Sequence, residues 1–231
     1  MPKDWNRPFA ETAAPTMRRH GAAQIRAWLA GLVLCIVLVG VSIAFVDRPL
    51  ALWVHQFHGV ERLAGFSYLP PWAVPAAILS FAALALGAVM GFRSGLTDFM
   101  LSCGIALIVS AVIKDQLKFL FGRTWPESWL NGNRSFVANG VYGFWPLHGG
   151  EAYASFPSGH TTVAFAVLTL FWIRWPRLRF FCVLAGAAAV IALVGGGFHW
   201  LSDSIAGAFL GAAVGYIVSV LSGTNRGVPA H

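Results

Sequence analysis

Charge is what this 231-residue sequence has least of: Asp, Glu, Lys and Arg together make up 11%, against about 25% in soluble domains. That deficit excludes an ordinary soluble domain. It also removes nucleic acid as a partner, because the net charge of +7 rests on basic residues that in a membrane protein mark the cytoplasmic side. Cysteine is scarce as well. Cys35, Cys103 and Cys182 lie within apolar runs, are odd in number and fit no metal-ligand spacing, so neither a disulfide nor a role is assigned to them. No cleavable signal peptide is expected: the first 26 residues are polar and the apolar run behind them is too long for one. There is no internal repeat and no sign of a second domain. What the chain does have is 57% hydrophobic residues and 10 Trp, the composition of an integral membrane protein.

The apolar runs predict an all-α bundle of six transmembrane helices. Residues 1–26 form a flexible basic cytoplasmic arm, with a short interfacial helix near Ala22–Trp28. Residues 27–221 form the single membrane domain, and 222–231 a polar tail. The first span is Ala27–Val46, 20 uncharged residues ended by Asp47-Arg48-Pro49, enough to cross a core of about 30 Å. Apolar residues at helical spacing in 49–70 predict an interfacial helix between spans 1 and 2. The second span is Pro71–Phe92. The third is Phe99–Ile113, its helix running on through Leu120 and carrying Lys114 and Lys118 towards water. The others are Thr161–Ile173, Phe180–Phe198 and Ser204–Leu221.

Six spans put both termini on one side. With that side cytoplasmic, ten of the sixteen basic residues lie there, including the short turns at Arg93 and Arg174–Arg179. The polar loop at about 121–157 and the His199–Asp203 turn then share the outer face, periplasmic or extracellular, of a cell inner membrane protein. The groups most able to do chemistry collect at that one face.

Ser155-Phe156-Pro157-Ser158-Gly159-His160 closes the loop and opens an apolar helix. Free amides at a helix start favour an anion, and His160 in the first turn can transfer a proton beside it. His199 and Asp203 stand four residues apart, which puts them on one face of a helical turn. An Asp bonded to one imidazole nitrogen makes the other a better nucleophile or base. The simpler reading of Asp203 is a helix cap. Lys118 and Arg123 offer positive charge to an anionic group, or else snorkel to lipid headgroups.

In order and spacing these residues resemble the type-2 phosphatidic acid phosphatase superfamily. Its three motifs are Lys-x6-Arg-Pro, Pro-Ser-Gly-His and Ser-Arg-x5-His-x3-Asp. The second is intact at Pro157-Ser158-Gly159-His160, and the third keeps His199-x3-Asp203. Two arginines are absent from their places: Trp125 precedes Pro126 in the first motif, and Ala192-Leu193 stands for Ser-Arg in the third. Gly122-Arg123, a pair many members carry, survives.

The resemblance implies an integral-membrane phosphatase acting on a lipid or isoprenoid phosphate or pyrophosphate, without metal or cofactor. It implies His199 as nucleophile, Asp203 as its orienting partner, and His160 as acid and then base. Lys118, Arg123, Ser158 and Gly159 would hold the phosphate, with Arg134 and His148 as auxiliaries from the loop. The same phospho-histidine would serve a lipid phosphotransferase. Loss of two arginines also fits a weakened member that binds lipid without turning it over. A metal site built from His148, His160, His199 and Asp203 lacks a compact ligand pattern. Oligomeric state is left open.

Overall fold

The computed structural model describes residues 10–57, 81–82, 84–87, 89–92, 94–128 and 133–223, with backbone alone for 10–21. Most of the second expected span, most of the expected interfacial helix and the end of the tail lie outside these residues. The helices are α1 (Ala10–Val41), α2 (Asp47–Gln56), α3 (Gly95–Phe121), α4 (Phe136–Asn139), α5 (Gly159–Arg174), α6 (Arg179–Gly195) and α7 (Leu201–Leu221). Short 3-10 turns stand at Glu151–Tyr153 and Pro176–Leu178. Among the described residues the extended pairing is confined to three isolated bridges in the loop before α5.

Among the described residues four helical stretches are long and apolar enough to cross a membrane: Ala22–Gln56, Gly95–Phe121, Pro176–Gly195 and Leu201–Leu221. Their apolar surface is largely uncovered, as on α1 at Leu29, Val33 and Val37, which suits lipid as solvent. α5, expected as the fourth span, has 16 residues, a rise of about 24 Å against a hydrocarbon core of about 30 Å.

Two expectations at the N-terminal end are corrected. Residues 10–26, taken as a flexible arm, already belong to α1. The first span does not stop at Asp47 either. Ser42–Val46 forms a π turn, with the Asp47 amide bonded to the Ser42 carbonyl, and α2 follows at once. Pro49 lacks an N–H and would break a regular ladder; the wider turn just before it absorbs the misfit. The Asp47 side chain is thereby turned inward and is almost fully buried, at 1% exposure.

α5 and α7 form the axis of the molecule. Gly207, Gly211 and Gly215 make one stripe of α7 (every fourth residue), and α5 lies directly against it. A Cβ at Gly207 would come within 2.6 Å of the Ser158 carbonyl oxygen, and one at Gly211 or Gly215 would strike the carbonyls of Thr162 and Ala166. Such small-residue stripes let membrane helices touch backbone to backbone. α3 completes a three-helix core of Phe99, Ala106, Ala166, Leu170, Val214 and Val218. α1 joins through Trp28, whose ring meets Phe209 and Tyr216 at 5.8 and 5.1 Å.

Candidate active site

The ends of α3, α5, α6 and α7 meet under the loop at 122–158. Gly122 ends α3 with φ +58°, and any Cβ there would collide with the Trp145 carbonyl, so a glycine is required. The turn swings Arg123 beneath the loop, where its backbone bridges Phe144 and Ala154. Its side chain is fully buried. Nη1 donates to Asp203 Oδ1 and Ser202 Oγ, both at 2.5 Å, and Nη2 donates to Asp47 Oδ2 at 2.7 Å. Aromatic faces close around it, Phe144 at 4.8 Å and Trp200 at 5.1 Å. Burial works against its charge, but Asp203 and Asp47 outweigh burial and keep the guanidinium protonated.

Asp203, also fully buried, accepts from four protein groups. Oδ1 takes Arg123; Oδ2 takes Ser155 Oγ at 2.5 Å, the Trp200 amide at 3.2 Å and, at 3.4 Å, His199 Nδ1. The Trp200 bond caps α7, and the His199 contact orients the imidazole, so one carboxylate does both of the things its position suggested. Asp47 completes the cluster, accepting from Ser42 Oγ, the Ser202 amide and Ser202 Oγ. Two carboxylates and one guanidinium leave this dry cluster one negative charge in excess, immediately behind His199.

His199 lies between α6 and α7, 4% exposed, with its amide on the Leu193 carbonyl. Burial lowers its pKa, with Asp203 opposing, so the ring is held neutral. The His160 ring is 6.4 Å from it, centroid to centroid, and is exposed at the cleft mouth. Partial desolvation, then His199, Lys118 and Lys114, lower His160 to about 4. Lys118 Nζ is 5.8 Å from the centre of the Trp125 ring. It also approaches the start of α5, 3.7 Å from where a Gly159 Cβ would stand, and the Lys114 stem is closer still. The Gly159 and His160 amides open α5 and have no intrahelical acceptor.

The structure thus brings His199, Asp203, His160, Lys118, Ser158 and Gly159 together. Ser158 itself is occupied: its amide donates to the Asp203 carbonyl at 3.1 Å, and its hydroxyl caps α5 at Thr161. Arg123 is present but faces carboxylates, not the cleft. Arg134 is exposed on the loop, and His148 lies in a side hollow with Lys118. Trp125, standing in the place of the motif arginine, is buried with its ring 5.0 Å from the His199 ring. Leu193 is buried in α6.

Asp47, Ser155, Ser202 and Lys114 have no site role in the sequence reading. The signal for Asp47 was a lone carboxylate at the end of an apolar run, which reads as a span terminator unless its distant partner is known. Among the described residues no three His, Cys, Asp or Glu side chains converge as metal ligands do.

Comparison with known proteins places this arrangement. The family model of the PAP2 superfamily matches residues 96–226. The lipid A 1-phosphatase of Rhizobium johnstonii is 30% identical over 115 residues, which are 50% of this chain and 44% of that protein. Lipid phosphate phosphatase 2 of Arabidopsis thaliana is 26% identical over 246 residues, 90% of this chain and 81% of that one. The chain therefore matches less than half the length of the bacterial relative and most of the plant one. A crystal structure of a transmembrane PAP2-type phosphatidylglycerolphosphate phosphatase from Bacillus subtilis aligns with a TM-score of 0.48 at 13% identity, over 88% of this chain and 98% of that one.

Proposed function

The chain belongs to the PAP2 superfamily, and from that premise we propose that it is an integral-membrane phosphatase hydrolysing a lipid phosphate through a phospho-histidine. The carrying observation is the pair of imidazoles 6.4 Å apart, one backed by a buried carboxylate and the other open to the cleft. That spacing suits one phosphoryl group: a near-attack contact is about 3–3.5 Å and a proton-transfer contact about 2.6–3.2 Å. The names of the relatives, a lipid A 1-phosphatase and lipid phosphate phosphatases, support a phosphate on an amphiphile as the substrate class.

In this reading the His199 Nδ1–H donates a hydrogen bond to Asp203 and keeps its proton, leaving the Nε2 lone pair for phosphorus. The P–N bond forms as the P–O bond to the lipid breaks, and His160 protonates the departing oxygen. Water then gives a proton to His160 and attacks phosphorus; the P–N bond breaks and phosphate leaves. The negative excess behind His199 stabilises the cationic imidazole that attack creates. Lys118 and the Gly159 and His160 amides face the phosphoryl oxygens, where charge stabilisation acts most strongly in phosphoryl transfer. No step calls on a metal.

Arg123 takes a different part from the one its charge suggested: it positions Asp203. Because His160 is neutral above about pH 4, its first proton arrives with the monoanionic phosphate ester. The same reading keeps six spans with cytoplasmic termini and a site at the periplasmic or extracellular face of the cell inner membrane; the basic residues of the short turns support that orientation.

The test is phosphate release by purified protein from a panel of lipid monophosphates, with His199→Ala as control. The expected result is release by the native chain, none by the variant, and label from the phosphate trapped on His199. Release by His199→Ala would sink the mechanism. A phosphorylated acceptor in place of free phosphate would make the protein a phosphotransferase.

A further inference from the structure

The loop that roofs the site also walls a second hollow. It has a volume of about 290 Å3, lies between the outer end of α3 and residues 148–154, and has Asp115, Lys118, His148, Glu151 and Tyr153 as its polar walls. That volume is at the low end of the range of about 300–1,000 Å3 for small-molecule sites. It admits one sugar- or glycerol-sized group but no set of acyl chains. Lys118 belongs to both the hollow and the cleft, so a group bonded to a phosphate beside Lys118 extends into the hollow. Trp125 ties the two together: its Nε1 donates to the Glu151 carbonyl at 2.7 Å while its ring lies on His199.

We propose that this hollow is a head-group subsite for a hydroxyl-rich group, a sugar or a glycerol, esterified to the scissile phosphate. The proposal rests on the phosphatase reading above. Its argument is the character of the walls. Lys114 is paired with Asp115 at 2.5 Å, and Lys118 is directed to the scissile phosphate. A second phosphate in the hollow would therefore meet the Glu151 carboxylate, which disfavours a pyrophosphate. Hydroxyls find acceptors in Glu151 and Asp115, and donors in the Tyr153 hydroxyl and the His148 ring. The Tyr153 ring is braced by Trp145 at 5.7 Å and His148 at 5.3 Å, a fixed flat face for the C–H side of a sugar. An isoprenyl chain would have to bury hydrocarbon against carboxylates, which costs their hydration.

The experiment compares kcat/KM on four phosphates in one detergent: a lipid-linked hexose 1-phosphate, a glycerol phosphate lipid whose head-group glycerol keeps a free hydroxyl, an isoprenyl pyrophosphate and phenyl phosphate. Each is measured with the native chain, Glu151→Gln and Tyr153→Leu. The expected result is preference for the hexose or glycerol substrate over the isoprenyl one. Both variants should then lose about tenfold more on the preferred substrate than on phenyl phosphate, mainly through KM, the scale of one or two hydrogen bonds to a charged group. Whichever hydroxylated substrate shows the larger differential identifies the source of the group. Preference for isoprenyl pyrophosphate, or equal losses on every substrate, would overturn the subsite and leave the phosphatase standing. No release even from phenyl phosphate by the native chain would overturn both.

Discussion

The two sides of His199 are built on opposite principles. Behind it, Asp47, Arg123, Ser155, Ser202 and Asp203 form a dry cluster in which each carboxylate oxygen has a protein donor. In front stand Lys118, the exposed His160 and two helix-start amides, with few fixed partners. The arginine that the family places in front, at the position of Trp125, is absent, while the arginine of the Gly122-Arg123 pair lies behind. Orientation of His199 is thus over-determined, and in the proposed mechanism binding of the phosphate is left to a small set of cations.

The comparison is broken most severely from the back. Asp47→Ala leaves a buried guanidinium short of one carboxylate, and breaking such a pair costs about 3–5 kcal/mol. A fall of that size in unfolding stability in detergent, with activity lost in parallel because Arg123 no longer holds Asp203, is the expected result. An unchanged melting temperature would mean that Asp47 is not buried in the pair. Lys118→Ala attacks the front. With so few cations there, it should reduce kcat/KM by about 10²–10³, the size seen when one charge-stabilising donor is removed, while stability stays near that of the native chain. If Arg134→Ala had the larger effect, the front would be built from the loop instead.

The pH profile sharpens the contrast further. Burial lowers the His199 pKa, so its Nε2 lone pair survives into acid solution, and the acid limb of kcat/KM follows its protonation. The alkaline limb follows loss of the substrate monoanion above about pH 6. Activity should therefore peak on the acid side of neutrality and fall by about tenfold per pH unit well above the second phosphate pKa. An optimum at pH 8 or higher would show that His160 does not take its first proton from the substrate. The smallest effect belongs to Arg134→Ala, exposed on the loop and without a side-chain partner in the cluster: less than about twofold in kcat/KM, the range of a surface charge.

What could be read from the sequence was what is local. His199 and Asp203 are joined by one helical turn, and Ser158 by its own cap on α5, so spacing alone placed them. The Asp47–Arg123 pair spans 76 positions and depends on a π turn that no periodicity announces. Each partner alone has a plausible local meaning: Asp47 as the stop of a span, Arg123 as a phosphate ligand. Both meanings were displaced by a tertiary contact. The four membrane-length helices follow from composition. The way α5 lies on α7 was written in Gly207, Gly211 and Gly215, and passed unread because small residues in an apolar run carry no pattern of hydrophobicity.

That glycine seam has a mechanical consequence. His160 rides on α5 and Asp203 on α7, and backbone contact along the two helices leaves no slack for sliding one past the other. His160 and Asp203 are thus held in one rigid frame. A bulkier residue at Gly211 would act as a wedge driven into the frame, altering the reach between the two imidazoles while leaving both of them chemically intact.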